Sequence, residues 1–82
     1  MWFVYILECE DGSFYTGISN NVKKRFLDHQ NGKGGHYTKS HKPIMVVYKE
    51  KLKTLSGALK REHQIKGWSR EEKIKTLKLN SS

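Results

Sequence analysis

The chain begins with bulky apolar positions rather than an alternation of apolar and polar ones. Trp2 to Cys9 is a nearly continuous apolar, β-branched and aromatic run, the pattern of a central strand buried on both faces. Asp11-Gly12 then marks a hairpin, and Phe14 to Ser19 reads as the returning strand. The length of that turn decides the relation between Tyr5 and Tyr15. A three-residue loop, Glu10-Asp11-Gly12 with Gly12 left-handed, pairs Tyr5 with Gly17 and Leu7 with Tyr15, and brings both phenols to one face. A two-residue Asp11-Gly12 turn sends them to opposite faces.

Beyond the hairpin the periodicity changes. Asn20 or Asn21 is placed to cap a helix running to about Asn31, with Val22, Phe26 and Leu27 turned inward and Gly32 ending it. Gly32 to Pro43 reads as a basic, glycine-rich loop, and Ile44 to Tyr48 as a third strand. Thr54 caps a second helix whose apolar positions are Leu55, Ala58, Leu59 and Ile65, with Gly67 at its end. Ser69 with Glu72 forms a capping box for a third helix carrying Ile74, Leu77 and Leu79. Trp2 and Trp68 read as core or edge packing. The order β-β-α-β-α-α predicts an α+β fold over residues 1–79, a three-stranded mixed or antiparallel sheet flanked by helices. Asn80-Ser81-Ser82 reads as a frayed, disordered tail.

Charge narrows the partner class. Sixteen Lys and Arg face eight Asp and Glu, a formal charge of +8 in 82 residues, and such an excess attracts polyanions, nucleic acid above all. The basic helices lack the broad apolar face that a membrane surface requires. The apolar start is too short for a membrane span and lacks a basic leader, so the sequence predicts a cytoplasmic protein without a membrane partner. The single Cys9 has no internal disulfide partner, and one Cys with four scattered His lacks the paired spacing of a zinc site.

Three positions break the pattern in ways that bear on chemistry. Glu62 stands seven after Leu55, four after Ala58 and three after Leu59, on the inward stripe of its helix. A carboxylate there is costly unless it meets a cation; the alternatives are a metal ion or an edge position bridged to Arg61 or Lys66. Arg25 and His29 share a helix face, where a guanidinium suits a phosphate's two oxygens; the alternative is a solvated basic face continuous with Lys23 and Lys24. Gly17 weakens a strand and so points to close approach by a ligand or another chain segment.

Val4-Tyr5-Ile6 and Tyr15-Thr16-Gly17 resemble the two half-motifs that name the GIY-YIG nuclease superfamily. The resemblance runs on through Arg25, His29 and Arg61-Glu62 to Trp68-Ser69-Arg70. Gly32-Lys33-Gly34-Gly35-His36-Tyr37-Thr38, Ile65-Lys66 and Ser69-Arg70 look like the small, stand-alone YhbQ-like members, relatives of the nuclease domain of the repair enzyme UvrC. It implies a metal-dependent endonuclease hydrolysing DNA phosphodiesters, with Tyr5, Tyr15, Arg25, His29 and Glu62 as the catalytic set. Gly17 would allow close packing at the site, and Glu62 would hold one Mg²⁺ or Mn²⁺. Lys23, Lys24, Lys33, Tyr37, Lys39 and Lys66 are the candidate nucleic-acid contacts, Tyr37 either stacking on a base or closing over the tyrosines. The sequence departs from the family pattern in four places. Val4 replaces a glycine and Thr16 an isoleucine; Ser19 stands where some nucleases of this type carry lysine, a role open to Lys23 or Lys39; and Asn80 is the only late asparagine. The rival reading is a non-catalytic DNA- or RNA-binding module on the same scaffold, dependent on a protein partner for specificity.

Overall fold

The computed structural model describes residues 1–79, so the tail and Asn80 lie outside the described residues. Its element order is β1 (Trp2–Cys9), β2 (Phe14–Ser19), α1 (Val22–Gln30), α2 (His36–Ser40), β3 (Pro43–Leu52), α3 (Leu55–Lys66) and α4 (Arg70–Leu77). The fold is α+β, and the sheet is wholly antiparallel in the order β2-β1-β3. The central place of β1 explains its unbroken apolar run, because both of its faces meet helices.

The hairpin takes the three-residue loop. The Cys9 N–H donates to the Ser13 carbonyl at 2.9 Å, closing Glu10-Asp11-Gly12, and Gly12 sits at φ 83°. Tyr5 therefore pairs with Gly17 and Leu7 with Tyr15, and a one-residue slip would have exchanged the two faces. On one face Tyr5 and Leu7 pack with Val22, Phe26, Tyr15 and Val46 beneath α1. On the other, Val4 and Ile6 pack with Ala58, Ile65 and Leu79, joined by Trp2, Trp68, Ile74 and Leu77 from around α3 and α4.

Several expectations give way to the packing. The loop from Gly32 to Pro43 contains the short helix α2, and β3 runs to Leu52 rather than Tyr48. An irregularity in the β1–β3 ladder lets Ile6 face Tyr48 while Leu7 faces Val46, so Val47 is an extra residue. Leu27 is 50% exposed, Leu55 42% and Leu59 48%; each lies at the margin of its stripe, where neither helix has a further layer to cover it. Ala58 and Ile65 alone are fully buried on α3. The caps follow the sequence: the Asn21 side chain accepts from Lys24 N–H, Thr54 from Gly57 N–H, and Ser69 and Glu72 form the reciprocal box.

Candidate active site

Position 17 is where the sheet opens toward the phenols. A Cβ at Gly17 would stand 2.7 Å from the Tyr5 hydroxyl oxygen and 3.0 Å from the Tyr15 ring, inside van der Waals contact, so a hydrogen in place of a side chain lets the two rings lie over the strand. Their centroids are 6.4 Å apart, tilted by 43°.

α1 brings the next two residues. His29 lies one turn beyond Arg25 and is almost wholly buried (1% exposed), whereas the Arg25 side chain is 38% exposed. The His29 Nε2 lies 2.9 Å from the Tyr5 hydroxyl, and its ring centroid lies 4.8 Å from that of Tyr15. Arg25 donates from Nη2 to the Gly34 carbonyl at 3.3 Å, and its Nη1 stands 3.9 Å from Asp28. A cavity of about 230 Å³ lined by Ser19, Asn20, Asn21, Lys24, Arg25 and Asp28 opens beside this guanidinium.

These neighbours set the proton affinities. Burial pushes the Tyr5 phenol up to about 12, with the neighbouring Tyr15 adding to the rise. The charge of Arg25 and a hydrogen bond from it oppose that rise, and the negative charge of Glu62 adds the smallest contribution. A phenol acts as a base near neutral pH only where a cationic neighbour lowers its proton affinity; Arg25 is in place beside Tyr5, but burial outweighs it. Burial, then the charge of Arg25, holds the His29 imidazole below its usual value, so at neutral pH the ring is uncharged, with one N–H and one accepting nitrogen.

Glu62 enters from another direction. Its helix, α3, packs on the Val4–Ile6 face through Ala58 and Ile65, yet its carboxylate is felt at Tyr5. The side chain is 17% exposed and forms an ion pair with Lys66 one turn on, at 3.4 Å. Arg61, the other bridging partner considered, instead pairs with Glu50 at 3.1 Å and lies over the Trp68 ring. Tyr5, Tyr15, Arg25, His29 and Gly17 thus form one contiguous group, while Glu62 stands on α3 with its carboxylate toward Lys66.

No group of three or more His, Cys, Asp or Glu suited to a metal ion occurs among the described residues. A lone, partly buried carboxylate fits a hard ion that keeps most of its waters and takes phosphate oxygens, such as Mg²⁺ or Mn²⁺. It does not fit zinc, which requires three or four protein donors.

The segment read from the sequence as a basic, glycine-rich loop packs onto the site through α2. Tyr37 stacks on Tyr15 (6.0 Å, 29°), and His41 stacks on Tyr37 (4.1 Å, 6°) while standing 3.6 Å from Asp11. Thr38, within the same basic segment, is 2% exposed, its hydroxyl 2.7 Å from His29 Nδ1. Gly34 is buried against the same ring, where a Cβ would overlap Nδ1. Neither role was visible in the sequence; a threonine and a buried glycine in a polar segment carry no periodic signal.

Lys23, Lys24, Lys33, Lys39 and Lys66 are all exposed. Lys24 is drawn toward Asp28 at 3.5 Å. Lys23 lines a second cavity, of about 400 Å³, between α1 and β3 with Val22, Phe26, Val46 and Tyr48; Tyr5 and Tyr15 are not in its lining. Among the described residues no helix is long and apolar enough to cross a membrane.

Residues 1–75 match the family model described as the GIY-YIG catalytic domain. A UPF0213 protein of Syntrophus aciditrophicus is 51% identical over 79 residues, covering 95% of this chain and 91% of that protein. Another, from Staphylococcus saprophyticus, is 47% identical over 75 residues and 92% of each chain. The solution structure of a UPF0213 protein from Bacillus halodurans superposes with a TM-score of 0.60 at 37% identity, over 95% of this chain and 84% of that one. With both half-motif tyrosines over Gly17 and a family match that spans the sheet and all but the end of α4, the chain belongs to the GIY-YIG family, among its small UPF0213 members.

Proposed function

We propose that the protein is an endonuclease that hydrolyses phosphodiester bonds in DNA with the help of one Mg²⁺ or Mn²⁺ ion, residues 1–79 acting as a single unit in the cytoplasm. The observation that carries this reading is the contact of Tyr5 with His29 Nε2 over Gly17, with Arg25 one turn before His29 on α1.

A phenol whose pKa is about 12 is not a standing phenolate at neutral pH, so Tyr5 works as one link in a relay. As water attacks phosphorus, its proton passes to the Tyr5 oxygen while the phenolic proton passes to His29 Nε2. One O–H bond is broken and one formed at the phenol, which ends neutral, and the imidazole ends as imidazolium. Arg25, partly exposed at the mouth of the site, faces the negative charge that builds on the phosphoryl oxygens. Tyr15 packs on the His29 ring and keeps water from its face. Glu62 would hold the divalent ion, which when bound polarises a phosphoryl oxygen and stabilises the leaving oxygen. Lys23, Lys24, Lys33, Lys39 and Lys66, with Tyr37, would meet the flanking strand. The substrate would be branched or otherwise structured DNA, of the kind made in repair or recombination.

A second reading rests on a specific observation as well. Glu62 is paired with Lys66 and the Tyr5 phenol is not acidified, a state that suits a DNA- or RNA-binding accessory module partnered by another protein. A cutting assay separates the two. Purified protein with Mn²⁺ or Mg²⁺ is expected to nick single-stranded, flapped or duplex DNA, and Glu62→Gln and Arg25→Ala to lower the rate by about 10²-fold or more. Binding without cutting across that panel would favour the accessory module.

A further inference from the structure

The His29 ring is held at both nitrogens, and only one of the two partners belongs to the half-motif tyrosines. Nε2 meets Tyr5 at 2.9 Å, and Nδ1 meets the Thr38 hydroxyl at 2.7 Å. A neutral imidazole has one donor and one acceptor, so these two contacts cannot be assigned independently.

The Tyr5 side settles the pattern. Tyr5 is 1% exposed, so in the resting site its hydroxyl proton needs an acceptor within the fold. The guanidinium beside it is a donor only and cannot take that proton. Among the described residues the acceptor placed at the phenol is His29 Nε2, and leaving the buried O–H unmatched would cost about 1–3 kcal/mol. Nε2 therefore accepts, Nδ1 carries the ring proton, and the Thr38 oxygen receives it. Thr38 is itself buried, brought down onto the ring by α2, and the approach is possible because Gly34 has no side chain to strike Nδ1.

We propose that Thr38 is a positioning residue that holds His29 in its Nδ1-protonated tautomer, so that Nε2 stays free to take the Tyr5 proton. Thr38 touches no substrate. It acts through His29, and the site is complete only while α2 is seated. The tautomer assignment stands on geometry alone, whereas its catalytic consequence rests on the nuclease reading above.

The test uses the ring nitrogens directly. Long-range ¹H–¹⁵N spectra of the ¹⁵N-labelled full chain at neutral pH should show His29 with a protonated Nδ1 and an unprotonated Nε2. Thr38→Val, close to isosteric, should shift the ring toward the other tautomer or a mixture; Thr38→Ser should keep the wild-type signature. In a Mn²⁺ nicking assay Thr38→Val should lower kcat by about 10- to 100-fold with little change in KM, the scale of losing a residue that orients a reactive histidine. Thr38→Ser should recover most of that loss. A wild-type spectrum showing Nε2 protonated overturns the proposal whether or not DNA is cut. So does a Thr38→Val protein whose spectrum and rate both match wild type. The predicted spectra in a protein that cuts nothing would uphold the assignment and place the failure in the nuclease reading.

Discussion

His29 shows how one side chain ties packing to chemistry. It is buried between two phenols, and its burial holds the imidazole below its usual value. The folded protein then binds a proton less readily than the unfolded chain. Stability is unaffected above the unfolded value of about 6.5, and is lost as pH falls below it toward the depressed folded value. The midpoint of thermal unfolding should therefore drop as pH falls below about 6.5, and His29→Gln should flatten that part of the curve. An unchanged slope in the variant would mean that His29 is not the group responsible. Gly17, legible in the sequence two residues after Tyr15, has a steric reason: a Cβ there, 2.7 Å from the Tyr5 oxygen and 3.0 Å from the Tyr15 ring, leaves no room for the pair.

At the scale of elements, the spacing of apolar residues marks where helices lie better than how wide their buried stripe is. On α3, Leu59 and Ile65 are equal in the pattern, yet Leu59 is 48% exposed and Ile65 fully buried. Ile65→Ala should cost about 2–4 kcal/mol and Leu59→Ala less than about 1 kcal/mol, read from denaturant midpoints; equal losses would contradict this packing. The hairpin and its glycine were legible because they are local properties, whereas the choice between its two registers, open in the sequence, is made by the Cys9–Ser13 closure. The caps at Thr54 and Ser69 were legible too, and Asn21 is the one used of the two asparagines offered. The seating of α2 was not legible. It depends on Thr38 meeting His29 and on Tyr37 stacking between Tyr15 and His41, contacts that form only after α1 and β2 have folded together. The pairing of Arg61 with Glu50 was hidden for the same reason, since Glu50 lies on β3, whose length the apolar pattern understated.

For the molecule as a whole, the charge of +8 sets how nucleic acid is met. Contacts to phosphate release counterions, so affinity for an oligonucleotide should fall steeply between about 50 and 200 mM salt, roughly tenfold or more for several contacts. Salt-insensitive binding would exclude the exposed lysines as the binding surface. Charge alone does not cut, however, and what distinguishes a nuclease from a basic platform is the acid on α3. Rates of nicking in Mn²⁺ by wild type and by Glu62→Gln, compared on one DNA substrate at equal binding saturation, probe that acid directly. The wild-type protein should cut and the variant should bind as well but lose about 10²-fold or more in rate; equal rates for the two would contradict the assignment of Glu62 and the metal-dependent site built on it.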